Sequence, residues 1–175
     1  DDAPWYWPGG SRVGRAEFYA AEHGLQAVTA DCAEFYRPDY DVTRARRTTI
    51  WTDAGFGLVL DTLEADSGHT WQWQGHLRPD VALDGDAARV ALPGDRSVLL
   101  AWEPGPQART VEMADFPRTE EGCSTRLELV LQGAEAGFVV LVAPGAGEAS
   151  VSRADDGLIT VELAGGTHRI VAENF

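Results

Sequence analysis

Phe56-Gly-Leu-Val-Leu60 and Phe138-Val-Val-Leu-Val-Ala143 decide the fold. Each is too short for an ordinary helix and, glycine aside, apolar at both parities, so each reads as a strand covered on its two faces. Such strands belong in the middle of a layered β structure. Outward from them the chain repeats one pattern: segments of five to ten residues alternate or run apolar, and Gly, Pro or Asp clusters separate them. The spacing predicts strands over 25–30, 32–37, 42–52, 56–63, 69–78, 87–92, 97–102, 107–113, 125–132, 137–143, 148–152, 158–163 and 167–172. Turn signals such as Asp53-Ala-Gly55, Asp66-Ser-Gly68, Pro93-Gly-Asp95 and Asp155-Asp-Gly157 stand between them. Arg126-Leu-Glu-Leu-Val-Leu-Gln132 and Gly157-Leu-Ile-Thr-Val-Glu-Leu163 mostly alternate, so one face of each is expected to be wet. Only Ala16–His23 has helical character, and Gly24 would end it. The expected fold is all-β: a large two-sheet, mostly antiparallel β-sandwich of about 12–15 strands. No linker or repeat divides it, and residues 1–175 form one domain.

Fourteen basic and 28 acidic side chains give a net charge of −14. A protein that coats nucleic acid or an anionic membrane carries the opposite sign, so neither is a partner. The longest apolar run, Phe138 to Ala143, is far too short to cross a bilayer. All the basic residues are arginine and Asn174 is the single asparagine, a bias that points to a GC-rich bacterial genome. The sequence from Asp1-Asp2-Ala3-Pro4 onward contains no targeting segment, and a fragment or a processed product is the expectation for such a start. Cys32 and Cys123 have no histidine or second cysteine at ligand spacing, and are expected to pack rather than to bind metal.

The most informative stretch for function is His69-Thr-Trp-Gln-Trp-Gln-Gly-His-Leu-Arg78. Side chains alternate across a strand, so His69, Trp71, Trp73 and Leu77 share one face. That face reads as core, with His69 structural. Thr70, Gln72, Gln74, His76 and Arg78 share the other, where a row of amide, imidazole and guanidinium suits a hydroxyl-rich ligand. A solvated sheet surface is the plainer reading of the same row. His69 and His76 lie on opposite faces of a regular strand and meet at one ion only if a bulge at Gly75 shifts the phase. No metal and no cofactor is expected. In Arg44-Ala-Arg-Arg47 a guanidinium suits a carboxylate or sulfate. Ion pairs to Asp39, Asp41, Asp61 or Glu64 are the plainer reading for at least two of the three arginines. Nucleophile elbows, phosphate loops and dinucleotide loops are absent. Trp5, Tyr6 and Trp7 read as packing aromatics before sugar-stacking ones.

Phe35-Tyr36-Arg37, Val42-Thr-Arg-Ala-Arg-Arg47, Phe56-Gly-Leu-Val-Leu-Asp61 and Trp71-Gln-Trp-Gln-Gly-His76 together resemble the C-terminal β-sandwich domain of the heparinase II/III-like polysaccharide lyases. In that family an arginine-closed strand leads to a strand ending in Asp, and an aromatic strand then runs into a histidine. Arg46 or Arg47, Asp61 and His76 stand at those places. The match covers about residues 25–105, with strand rhythm alone beyond it. The resemblance implies β-elimination on a uronic-acid polysaccharide and a periplasmic or secreted protein. It also implies that an N-terminal (α/α) toroid domain, absent from this chain, supplies the neutralising residue and the catalytic tyrosine. Some relatives hold zinc through a His-x-His pair; Gln74 and Arg78 stand there, so zinc is not carried over.

The resulting expectation is part of a lyase, inactive alone, acting on an acidic polysaccharide. His76 is its catalytic-cleft histidine, and Gln72, Gln74, Arg78 and Arg46 are its substrate contacts. A non-catalytic carbohydrate-binding or scaffolding sandwich is the alternative, and a structural domain whose wet face is an interface is a third reading.

Overall fold

Most of the described residues lie in paired strands, because so few segments have the period to close helical hydrogen bonds. The protein is described by a computed structural model over residues 15–22, 24–36, 40–77, 80–112 and 125–171. In chain order the elements are β1 (Arg15–Glu22), β2 (Leu25–Asp31), α1 (Ala33–Tyr36), β3 (Val42–Thr52), β4 (Gly57–Leu77), β5 (Val81–Asp84) and β6 (Ala87–Leu92). There follow β7 (Arg96–Trp102), β8 (Gln107–Glu112), β9 (Thr125–Pro144), β10 (Ala149–Arg153), β11 (Leu158–Leu163) and β12 (Gly166–Val171). Nine strands form one antiparallel sheet in the order β1-β2-β3-β4-β9-β7-β6-β5, with β8 also paired to β9. The second sheet is β10-β11-β12. The all-β sandwich expected from the sequence is the observed fold.

The doubly apolar strands sit where their pattern requires. Val139, Leu141 and Ala143 of β9 enter a core shared with Leu58, Ile50 and Phe56 and with Val151, Ile159, Val161 and Ile170 of the small sheet. Phe138 and Val140 point the other way, into a second core with Trp73, Leu127, Leu129, Leu100 and Trp102. The large sheet is therefore buried on both faces along its centre. Leu129 and Val140 share the second core although a straight strand between them would run ~35 Å. The sheet must curve around that core. The curve coincides with the register shift between Glu64 and His69 and with Gly133, whose φ of 150° suits glycine.

Several boundaries differ from the sequence reading. The segments 56–63 and 69–78 are one strand, β4, and 125–132 and 137–143 are one strand, β9, because each pairs with the other through the irregularity. Ala16–His23 is not helical: residues 15–22 pair with β2, and the gain of a partner overrides local preference. Residues 32–37 are not a strand. Asp31 Oδ1 accepts a hydrogen bond from Ala33 N at 2.7 Å and starts the turn α1. The four-residue β5 escaped notice for lack of length and burial.

A third cluster of Ala33, Val42 and Ala45 packs beneath α1 with Cys32, Leu63 and Trp71. Burial, and then the Asp31 charge, push the Cys32 thiol above its ordinary range, which suits a packing residue. Cys123 lies outside the described residues. His69 closes this end of the molecule by bonding Asp41 through Nε2 and lying edge-on to Trp71 at 5.4 Å between centroids. Hydrogen bonds from Ser67 and His69 hold the Asp41 carboxyl below its usual range. Its stabilising contribution is thus complete above the ordinary carboxylate pKa and is lost as pH falls through the lower folded value.

Arg44 and Arg47 are paired with acids that the sequence suggested. Arg47 grips the buried Asp61 with Nε to Oδ1 at 2.7 Å and Nη2 to Oδ2 at 2.6 Å, and Arg44 meets Glu64 at 2.9 Å. Asp61→Asn should lower unfolding free energy by about 1–3 kcal/mol in a urea titration, since Arg47 is half exposed and can turn to water. His69→Ala should lower the melting temperature by about 2–4 °C, the shift expected of a ~1 kcal/mol loss in a chain this long. Carboxyl NMR of the same variant should show the Asp41 titration moving upward.

Candidate functional site

Register places the polar face of β4 in a wider array. Strand β4 pairs His76 with Arg126, Gln74 with Glu128 and Gln72 with Val130. On its other side β9 pairs Val111 with Arg126, Arg109 with Glu128 and Gln107 with Val130. Directly paired residues point to the same side of a sheet. Three rows result: His76–Arg126–Val111, Gln74–Glu128–Arg109 and Gln72–Val130–Gln107. The opposite parity carries Trp71, Trp73, Leu127 and Leu129 into the core. Trp73 folds over Gly75, where a Cβ would lie 2.9 Å from two ring atoms. The register is unbroken from His69 to Leu77, so no bulge at Gly75 brings His69 and His76 together.

The platform has an electrostatic centre that sequence reasoning missed. Glu128 was expected on a wet face, yet its side chain is only 1% exposed. Two arginines cover it. Arg109 Nε donates to Oε2 at 2.5 Å, and Arg126 Nη2 lies 2.5 Å from Oε1. The second contact is ionic without hydrogen-bond geometry: Glu128 Oε1 and Arg126 Nε are both buried and without a hydrogen-bond partner. A bare carboxylate here would cost several kcal/mol, and the paired cations make its burial tolerable. Two guanidinium groups against one carboxylate leave one positive charge in excess. The alternation of Arg126, Glu128 and Val130 was visible in the sequence, but Gln74, Arg109 and Glu128 become neighbours only through register.

The residues predicted as a site are brought together in part. His76 and Gln72 are exposed, Gln74 is half-buried, and Gln74 Nε2 donates to Gln72 Oε1 at 3.1 Å. Arg78 lies outside the described residues. Arg46 is elsewhere: with Arg44, Thr48, Thr62, Arg153 and Ile159 it lines a cleft of about 80 Å³ between the two sheets. Asp61 and Arg47 share the parity of Val59, Leu63 and Trp73, so they face the opposite side of the large sheet from His76. A concavity of about 520 Å³ is lined by Arg89, Trp102 and Glu148 among others, and His76, Gln72, Gln74 and Arg46 do not line it. Among the described residues no group of three His, Cys, Asp or Glu side chains is arranged to hold a metal ion.

No family model and no curated protein matches the sequence. Solved structures do match its shape. The chain is similar to a crystal structure of heparinase III with a TM-score of 0.68 at 12% identity, over 90% of this chain and 27% of that one. It is similar to the heparan sulfate lyase HepC from Pedobacter heparinus with a TM-score of 0.65 at 14% identity, over 91% and 28%. The heparinase III product of the BT4657 gene gives 0.63 at 12% identity, over 90% and 27%. The chain spans little more than a quarter of each of these proteins. It has the fold of a β-sandwich domain found within heparinase III structures, the fold its sequence resembles.

Proposed function

We propose that this chain is the β-sandwich part of a polysaccharide lyase that cleaves uronic-acid-containing polysaccharide by β-elimination. In this reading an (α/α) toroid domain N-terminal to the sandwich completes the cleft. His76 is the acid–base residue that the sandwich contributes. It stands exposed beside Arg126, in the row next to the buried Glu128, and that placement is the observation that supports the reading. β-Elimination needs the C5 carboxylate neutralised, the C5 proton removed and the C4 oxygen protonated. Imidazole is the side chain chemically suited to moving protons near neutral pH. Gln72 and Gln74 offer donors and acceptors for sugar hydroxyls. Arg78, outside the described residues, is proposed as a further substrate contact on its chemistry alone.

The test is kinetic, on the complete lyase with its toroid. His76→Ala should reduce turnover by ~10²-fold or more, the scale of a lost acid–base group, with an unchanged melting temperature. The isolated chain mixed with heparin, heparan sulfate, alginate or hyaluronan should give no ultraviolet absorbance from unsaturated uronides. Full activity in His76→Ala, or clear turnover by the isolated chain, overturns the assignment.

A further inference from the structure

We propose that Arg109 and Arg126, braced from below by Glu128, form an oxyanion subsite that takes a sulfate or carboxylate group of the glycan. The proposal rests on the preceding one only in making a glycan the carrier of that group.

The starting point is a charge count that does not close. Glu128 is 1% exposed, Arg126 29% and Arg109 60%. A single arginine would neutralise a buried carboxylate. A second guanidinium packed over the same carboxylate meets like-charge repulsion, which a further anion would relieve. Among the described residues Glu128 is the carboxylate within ion-pair reach of either one. Among the described residues one positive charge is therefore left over at this spot, on a protein whose net charge is −14.

Hydrogen-bond capacity points the same way. A guanidinium has five N–H donors in a fixed fork. Arg109 directs Nε at Glu128, and among the described residues no hydrogen-bond partner competes with another group for its terminal donors. Arg126 directs Nη2 at Glu128 while its Nε is buried without a hydrogen-bond partner, as is Glu128 Oε1. The set is held in position but incompletely bonded. The arginines stand on adjacent strands, from rows one pair apart on one face, and both guanidinium groups reach the one Glu128 carboxylate, which holds them side by side. Sulfate and carboxylate are the groups that arginine forks bind bidentately. Gln74 and Gln107, on the same face, add neutral donors around it.

Glu128 is a positioning residue in this scheme. It cannot touch the ligand, and it fixes two flexible side chains so that less rotamer entropy is lost when the anion arrives. The subsite should therefore govern binding and leave the chemical step alone.

In the complete lyase, Arg109→Gln and Arg126→Gln should each raise KM on heparan sulfate by about 10- to 100-fold, the scale of one lost charged hydrogen bond. Turnover should change less than about threefold, and the dependence of KM on salt should flatten. Glu128→Gln should raise KM as well, with partial recovery in Glu128→Asp. Arg109 is mostly exposed, so its variant keeps the test valid should Glu128→Gln fold poorly. A desulfated heparan and an alginate separate the two sources of the anion. A penalty that vanishes on desulfation assigns sulfate, and one that persists on alginate assigns carboxylate. Calorimetric titration of heparan sulfate oligosaccharides into the full protein reads the same contacts without turnover. If Arg109→Gln weakens that binding while His76→Ala keeps full activity, the subsite stands and the histidine assignment falls. If His76→Ala loses turnover while both arginine variants keep wild-type KM, affinity and salt dependence, the subsite proposal is wrong. Absence of binding by the wild-type protein to all of these glycans overturns it too.

Discussion

The pairing of β4 with β9 is the constraint from which the remaining architecture follows. Both strands are long, they run together through nearly their whole length, and their first and second halves have different jobs. In the stretch from Gly57 to Asp61, opposite Phe138 to Val142, both faces are covered: one by the small sheet, the other by the curved remainder of the large sheet. In the half from His69 to Leu77, opposite Thr125 to Gly133, one face stays in the second core and the other carries the polar platform. A residue-by-residue alternation that held over the whole length would have put polar groups into a sandwiched layer. The register shift separates the two regimes and supplies the curvature that wraps the second core.

Burial of charge on such a sheet is tolerated only where register delivers a partner. Among the described residues Asp61 and Glu128 are the two buried carboxylates of the large sheet, and each meets arginine from the adjoining strand. Their environments differ in a telling way. Asp61 has both oxygens bonded by one fork, Nε and Nη2 of Arg47, and the set is complete. Glu128 draws one nitrogen from each of two arginines and leaves Oε1 without a hydrogen bond. The first is an arrangement for stability and the second has capacity to spare.

The fold was legible because its signals were local. Turn residues every few positions and the double apolarity of 56–60 and 138–143 required no knowledge of pairing. Errors came where pairing decided the matter. Ala16–His23 carries helix-forming alanines, yet β2 offers it an edge. Asp66-Ser-Gly68 has the composition of a turn but sits inside a strand that its partner keeps continuous. The site divides likewise. Period-two parity within β4 separated Trp71 and Trp73 from Gln72, Gln74 and His76. Arg46 was joined to them through a linear motif, and parity along one strand cannot report that β3 turns that side chain toward the small sheet. Glu128 was hidden because a glutamate in an alternating strand looks solvated until the arginines above it are placed.

The net charge of −14 and an anionic ligand are compatible once distance is taken into account. At physiological salt the Debye length is about 8 Å, so exposed acids farther away than this act weakly on a charge at the platform. At contact distance, among the described residues, the platform sets two arginines against one carboxylate that is itself buried. The distant acids still oppose approach and lower the association rate of a polyanion. At contact the local guanidinium groups dominate, because hydrogen-bonded charge at about 3 Å in a partly desolvated site outweighs screened charge farther off. An acidic surface with one braced cationic spot therefore favours anions that seat well over those that merely carry charge, and discrimination by fit rather than by field is what a sheet-face subsite can offer.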